Sequence, residues 1–244
     1  MSCTFACQRD AIVHDQVERL EEMRVGSIIL APGYQPYQAE QSAEFGYGRY
    51  PNVLTSLQFE RMLSASGPTM GHVRRPSDDQ TPERIAFLQC IGSRDQEHDY
   101  CSAVCCMSAT KEAMIAKEHE PGFEIQVFQM DLRAFSKGYW EYFQRAQERY
   151  GIQYTRCRIS RVDEDPRTKD LEIVYQDEQG RRLRKSFNMV VLSVGMEISE
   201  GVKSLSRRIG VDLDEFGFCQ TDPFEPLQTS RSGIFAVGPF REPK

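Results

Sequence analysis

The sequence lacks both a membrane-spanning segment and a secretory signal peptide. No run approaches the roughly 18 consecutive apolar residues that a membrane-spanning helix needs. The first residues, Met1 to Thr4, do not show the basic and then apolar order of a secretory signal peptide. The sequence therefore predicts a cytoplasmic protein with no membrane span.

An excess of basic residues is also missing. Asp and Glu number 36 against 30 Lys and Arg, which gives a formal net charge of −6 at pH 7. Proteins that bind nucleic acids neutralise phosphates with clustered Lys and Arg. We therefore expect no nucleic acid among the partners of this chain.

Two motifs of pyridine-nucleotide-dependent disulfide reductases are absent. The sequence contains no Gly-x-Gly-x-x-Gly stretch, which binds a pyrophosphate at a helix N-terminus, and no Cys-x-x-Cys redox pair. Both absences argue against an ordinary pyridine-nucleotide-disulfide oxidoreductase. That class stays open as an alternative function.

Cysteines are too few for a secreted disulfide scaffold, but they are clustered. Four of the eight lie between positions 90 and 106, two are Cys3 and Cys7, and Cys157 and Cys219 stand alone. Clustered cysteines in a reducing cytosol indicate metal or redox chemistry. For Cys157 and Cys219 we expect structural roles, because free cysteine packs as a small hydrophobe.

Short apolar runs alternate with helical patterns along the chain. This alternation predicts an α/β fold with parallel βαβ winding. We expect the run at 25–33 to be a buried central strand, and Leu171–Phe187 to form a hairpin around 177–180. Further strands are predicted at 84–90, 123–130, 153–156, 188–195 and 233–238, and helices at 56–65, 102–119 and 139–150.

Three of the predicted strands end in glycine, at Gly33, Gly195 and Gly238. Glycine at the carboxyl edge of a sheet marks a tight turn or a close approach to a ligand. The order of these strands resembles the two-dinucleotide-domain flavoprotein fold of thioredoxin reductase-like enzymes, in which a second Rossmann-like domain interrupts the flavin domain.

That resemblance implies a division of the chain. Residues 14–82 would end the first half of an FAD domain and include a linker, and 83–197 would be the inserted Rossmann-like domain with βαβ winding. Residues 198–244 would be a truncated second half of an incomplete flavin domain. Residues 1–13, with Cys3 and Cys7, would be the tail of a ferredoxin-like module or an unstructured N-terminus.

Cysteines stand where the inserted domain of such enzymes has its glycine fingerprint. Cys90 ends a predicted strand, Cys101 follows, and Cys105 and Cys106 lie near the start of the next helix. The positive end of a helix dipole favours thiolates, and four thiolates match the ligand number of a [4Fe-4S] cluster. A structural zinc site, or plain buried or disulfide-bonded cysteines, stay open as alternatives.

Several local motifs closely resemble those of the heterodisulfide reductase A-subunit family. They are Gln89–Arg94, Tyr100–Ser102, Cys105–Met107, Met130–Arg133 and Lys137–Gly138. The double cysteine is the most specific of them. Ala-Pro-Gly at 31–33 departs from the commoner Ala-Thr-Gly, and Phe-Ser-Lys at 135–137 departs from Phe-Gly-Lys.

The resemblance implies an electron-transfer subunit that passes electrons between FAD and [4Fe-4S] clusters, in some members by flavin-based bifurcation. Its partners would be other redox subunits of a heterodisulfide reductase-like complex, with hydrogenase or formate dehydrogenase subunits as candidate electron donors. The implied flavin-binding residues are Ala31, Pro32, Gly33, Lys111, Gly238 and Lys244. A non-catalytic scaffold subunit with structural zinc is the other alternative.

Lys111 has a specific role in the resembled family, where a lysine at this place points toward the flavin. A cation there would stabilise reduced, anionic flavin, whereas the alternative is a solvated helix lysine.

No glycine fingerprint precedes Val25, and the chain ends at Pro243-Lys244, where a flavin-contacting loop begins in the family. We therefore expect the 244-residue chain alone to bind FAD weakly or not at all.

Overall fold

A seven-stranded sheet forms the centre of the computed structural model, which describes residues 2–243. Its strands are β3 (Val53–Thr55), β4 (Arg84–Ile91), β5 (Glu124–Gln129), β6 (Gln153–Glu164), β7 (Leu171–Asp177), β8 (Arg182–Phe187) and β9 (Met189–Val194). Outside it lie β1 (Ile28–Leu30), β2 (Gln35–Pro36), β10 (Met196–Glu197) and β11 (Ile234–Ala236). The helices are α1 (Ser2–Ala6), α2 (Ser56–Leu63), α3 (Cys105–His119), α4 (Tyr139–Glu148) and α5 (Glu200–Ile209).

The large sheet has the strand order β3-β9-β4-β5-β6-β7-β8. Neighbouring strands from β3 to β6 are parallel, whereas β7 pairs antiparallel with both β6 and β8. Helix α3 connects β4 to β5, and α4 connects β5 to β6. The predicted α/β fold with parallel, Rossmann-like βαβ units is confirmed, and so is the hairpin of β7 and β8.

Both faces of β4 and β9 are buried, which explains their nearly continuous apolar sequences. Because successive side chains of a strand point to opposite faces, β4 contributes to two cores. Phe87 packs with Phe59 of α2 on one face, with ring centroids 5.4 Å apart, and Leu88 joins the core that contains Phe128 and Phe187 on the other. The cysteine-bearing loop after β4 therefore starts from a rigid strand.

The predicted strand at 25–33 differs most from expectation. It is parallel, but β1 pairs only with β11 within residues 2–243, with Leu30 opposite Ala236. Ile28 and Ile29 are 42% and 67% exposed, so the expectation of a buried central strand is wrong. The apolar sequence predicts the presence of a strand correctly. Burial of that strand requires further strands or helices packed against it, and within residues 2–243 β1 has only β11 beside it in its sheet.

Candidate metal centre

The structure brings Cys90, Cys101, Cys105 and Cys106 together. Cys90 lies at the carboxyl end of β4, Cys101 lies in the following loop, and Cys105 and Cys106 open α3. In all six pairings, the charge of one of these thiols raises the pKa of another. Such mutual effects require the four sulfur atoms to lie within electrostatic range of one another.

Unusual backbone angles shape the loop that carries these cysteines. Cys90, Arg94 and Ala103 adopt positive φ angles of 63°, 59° and 57°, which residues with a side chain rarely adopt. The Arg94 amide donates to the carbonyls of His98, at 2.7 Å, and Tyr100, at 3.0 Å. The loop therefore folds back on itself and returns the chain to the start of α3.

Burial dominates the electrostatics of the cysteine group. Together with a smaller effect of the neighbouring thiols, it raises the pKa of Cys90 to about 11 and that of Cys105 to about 12. The expected thiolate-favouring effect of the helix N-terminus is thus outweighed in the metal-free chain. A bound cationic group would reverse the balance, because metal ligation deprotonates thiols outright.

The donor set fits an iron–sulfur cluster, since such clusters are held by four cysteine thiolates. No group of three or more His, Cys, Asp or Glu side chains within residues 2–243 could hold a single metal ion in the present arrangement. The four thiols thus lie within electrostatic range of one another, but the described residues do not form a ready-made metal site.

A charged pair borders the cysteine group. Arg94 donates to Asp131 at 2.5 Å, and Arg133 lies 3.0 Å from the same carboxylate. Burial opposes ionisation of Asp131, but the two arginines together hold its pKa below the usual range. Arg94 also lowers the pKa of Cys90, so it supplies positive charge beside the thiols.

Lys111 lies on the same helix as Cys105 and Cys106. It lines a cavity of about 890 Å³ together with Met107 and Phe135. Its Nζ atom is 3.7 Å from the Glu60 carboxylate, and both side chains are more than half exposed. Lys111 therefore lies near the middle of α3, on an exposed part of the cavity lining.

The other flavin-binding candidates lie at the ends of β1 and β11. Val237 N donates to Leu30 O at 3.0 Å, so Ala31, Pro32 and Gly33 follow one strand beside Gly238, which follows the other. Gly33 and Gly238 have φ angles of 75° and 68°, and a Cβ added at either would meet nothing within 4 Å. Open space therefore surrounds both turns. Lys244 lies outside the described residues.

Gly195 has a different role from the other strand-ending glycines. A Cβ added there would lie 2.4 Å from the Gly92 carbonyl oxygen and 3.1 Å from Ser102 Oγ. The glycine thus permits the end of β9 to pack against the loop after β4. The glycine at the end of this apolar run therefore marks a contact between two backbone segments.

The remaining cysteines show no charge coupling to this group, although Cys157 lines a small cavity together with Cys90. Cys157 is buried in β6, and Cys219 is buried in the third core, which contains Phe218 and Ile234. Cys3 is exposed in α1, and Cys7 follows that helix half-buried. The ferredoxin-like origin suggested for Cys3 and Cys7 stays a prediction.

The fold and this group of thiols define a Rossmann-like α/β protein with a candidate iron–sulfur centre. The A-subunit of H2:CoB-CoM heterodisulfide, ferredoxin reductase from Methanothermobacter marburgensis is 41% identical over 100% of this chain and 38% of its own length. The H2/formate counterpart from Methanococcus maripaludis is 40% identical over 96% of the chain and 36% of its length. The iron-sulfur A-subunit of CoB–CoM heterodisulfide reductase from Methanocaldococcus jannaschii is 40% identical over 99% of the chain and 38% of its own length.

Over its whole length, the chain is therefore similar to part of the A-subunits of heterodisulfide reductases. It spans about 38% of the length of the first relatives named. No family model matches the sequence. The solved structure of bacillithiol disulfide reductase from Bacillus cereus aligns with 88% of the chain and 53% of its own length, at 13% identity and a TM-score of 0.49.

Among the described residues, no helix combines the length and apolar character that crossing a membrane requires.

Proposed function

We propose that this chain is the electron-transfer part of a heterodisulfide reductase-like complex, with a [4Fe-4S] cluster on Cys90, Cys101, Cys105 and Cys106. The observation that carries this proposal is the convergence of the four thiols at the end of β4 and the start of α3. The identity of about 40% to the A-subunits of such reductases supports it.

The chain's own residues prepare the site for a cluster in three ways. The thiols supply four ligands, burial shields the site from water, and Arg94 supplies a positive charge that offsets the anionic thiolates. An iron–sulfur cluster would supply one-electron transfer, which FAD complements by exchanging one or two electrons.

The flavin would bind against the turns after β1 and β11. Ala31, Pro32, Gly33 and Gly238 offer backbone that another molecule can approach, because open space surrounds the two glycines. Lys111 would place a cation toward the flavin from the cavity side. Lys244 would extend the same site.

The proposed partners are the other redox subunits of such a complex. The names of the relatives mention H2, formate, ferredoxin and the CoB-CoM heterodisulfide. Hydrogenase or formate dehydrogenase subunits would then donate electrons. Because the names of two of these relatives give both a heterodisulfide and ferredoxin, we include flavin-based bifurcation in the proposal.

Electron paramagnetic resonance tests the proposed electron transfer. The 244-residue chain, reconstituted anaerobically with iron and sulfide, should be silent when oxidised and give a cluster signal of about one spin per chain after reduction by dithionite. A reconstituted chain that gives no signal on reduction would refute the proposal.

The Lys111→Ala variant is expected to keep its cluster content but to make the flavin harder to reduce in the assembled complex. The change removes a cation that would stabilise the anionic reduced flavin. Flavin midpoint potentials measure this effect. Lys203→Ala is the matched control, since Lys203 also pairs with a glutamate, Glu200 at 2.9 Å, but on α5. Equal potentials in both variants would assign Lys111 to a solvated face.

A further inference from the structure

Glu112 is a buried carboxyl that the proposed function does not use. It lies on α3 with 5% of its surface exposed, and its Oε2 atom has no hydrogen-bond partner within the described part of the chain. An unpaired ionised carboxylate in such surroundings is costly, whereas the protonated acid is tolerated. This side chain is therefore a site where a proton can be held.

Its position on the helix relates it to the cysteine group. Cys105, Ser108 and Glu112 are spaced i, i+3 and i+7, so they lie on one face of α3. Seven residues of helix separate Cys105 and Glu112 by about 10 Å along the axis, so the two groups do not touch.

The same three side chains line one small cavity. The cavity measures about 120 Å³, and Cys105, Ser108 and Glu112 line one side of it while Ser193 of β9 lines another. Ser193 Oγ, like Glu112 Oε2, has no hydrogen-bond partner within residues 2–243. A space of this size, bordered by two such polar atoms, can hold water that conducts a proton.

Burial and the charged groups around Glu112 place the pKa of its carboxyl near the physiological range. Burial raises the pKa of Glu112, the Glu60 carboxylate of α2 adds to this effect and Lys111 opposes it, with a net value of about 8. The other titratable groups on the cavity are Tyr34, from the segment after β1, and Cys105. Additional negative charge near Cys105 would raise the affinity of Glu112 for its proton.

We propose that Glu112 is a proton-coupling residue, which takes up one proton from solvent through the Ser108–Ser193 cavity when one electron reaches the group bound by Cys105. The inference rests on the proposed function, because the electron acceptor is the cluster. Donation of that electron onward would release the same proton, so charge balances in each direction. Below the pH at which Glu112 ionises, its proton is already in place and no uptake occurs.

Redox titration of the reconstituted 244-residue chain tests this coupling. The reduction equilibrium constant of the cluster should fall about tenfold between pH 7 and pH 10, as expected for charges about 10 Å apart at an effective dielectric constant near 20. A tenfold change equals 59 mV for one electron. In Glu112→Gln, which mimics the neutral acid, the constant should stay near the low-pH wild-type value throughout.

Glu60→Gln is the matched control, because Glu60 borders the same cavity but its side chain is 55% exposed. This variant should keep the tenfold size of the pH dependence but shift its midpoint to lower pH, because the Glu60 charge no longer raises the pKa of Glu112. A wild-type chain with a cluster but a pH-independent constant would overturn the coupling alone, as would pH dependence that persists in Glu112→Gln. A wild-type chain that forms no cluster would overturn the proposed function as well.

Urea unfolding gives a second readout that needs no cluster. Folded Glu112 keeps its proton up to about pH 8, whereas the unfolded residue loses it near its ordinary value of 4.5. The folded state thus binds more protons between these values, so wild-type stability should fall relative to Glu112→Gln as pH rises through that window. A difference between the two proteins that stays constant from pH 5 to pH 8 would show Glu112 ionised throughout and overturn the inference.

Discussion

Serine at position 105 or 106 is expected to remove most of the iron and sulfide that the reconstituted chain binds. Each of these two cysteines would ligate the cluster from the first turn of α3, and a serine hydroxyl is a poor replacement for a thiolate at an iron site. Iron and sulfide assays after anaerobic reconstitution measure the loss.

The chain offers matched controls for this experiment. Cys157→Ser and Cys219→Ser change buried cysteines in other parts of the fold, so both should retain full cluster content. Equal losses from all four substitutions would show that the assignment of ligands is wrong. Urea unfolding of each variant separates loss of the cluster from loss of the fold.

Alanine at Gly195 is expected to lower the free energy of unfolding by about 2–3 kcal/mol. The added Cβ would lie 2.4 Å from the Gly92 carbonyl oxygen, and backbone atoms cannot rotate away as a side chain can. Gly195 is also held by hydrogen bonds, with its amide donating to Ile91 O at 2.7 Å and its carbonyl accepting from Tyr37 N at 2.9 Å.

Gly26→Ala is the control, because a Cβ at Gly26 would meet nothing within 4 Å. It should leave the urea midpoint nearly unchanged. The Gly195 variant should also bind less iron, since the displaced segment adjoins Cys90. Equal midpoints for the two variants would contradict the packing described for the end of β9.

The strands and helices that the sequence predicts well are those with a strong local signal. β4 and β9 are buried on both faces, so their apolar runs are continuous, and the cysteine-rich segment follows directly from β4. The region 56–65 has helical periodicity, and the structure has α2 there. Grouping of the four cysteines follows from this strand, loop and helix order.

Polar elements carry a weaker signal. The sequence predicts strand β6 only over 153–156, but the strand extends to Glu164, because its second half alternates charged residues on a half-exposed surface. Helix α5 is not among the predicted helices, although Ser199 caps its start and Gly210 ends it in a left-handed conformation. Those two caps are the signal that the sequence offers for it.

The environment of individual side chains could not be predicted from local sequence. Nothing near Glu112 in the sequence shows that it is buried, because its burial comes from packing of α3 against α2 and β9, which are distant in the chain. The raised pKa values of Cys90 and Cys105 likewise arise from burial in the folded chain. Such properties depend on tertiary contacts.

Metal and sulfide analysis of the anaerobically reconstituted 244-residue chain tests the central claim most directly. The four converging thiols match the ligand demand of a [4Fe-4S] cluster, so the analysis should find about four iron and four sulfide per chain. Stoichiometric zinc without sulfide would contradict the claim and indicate a structural metal site.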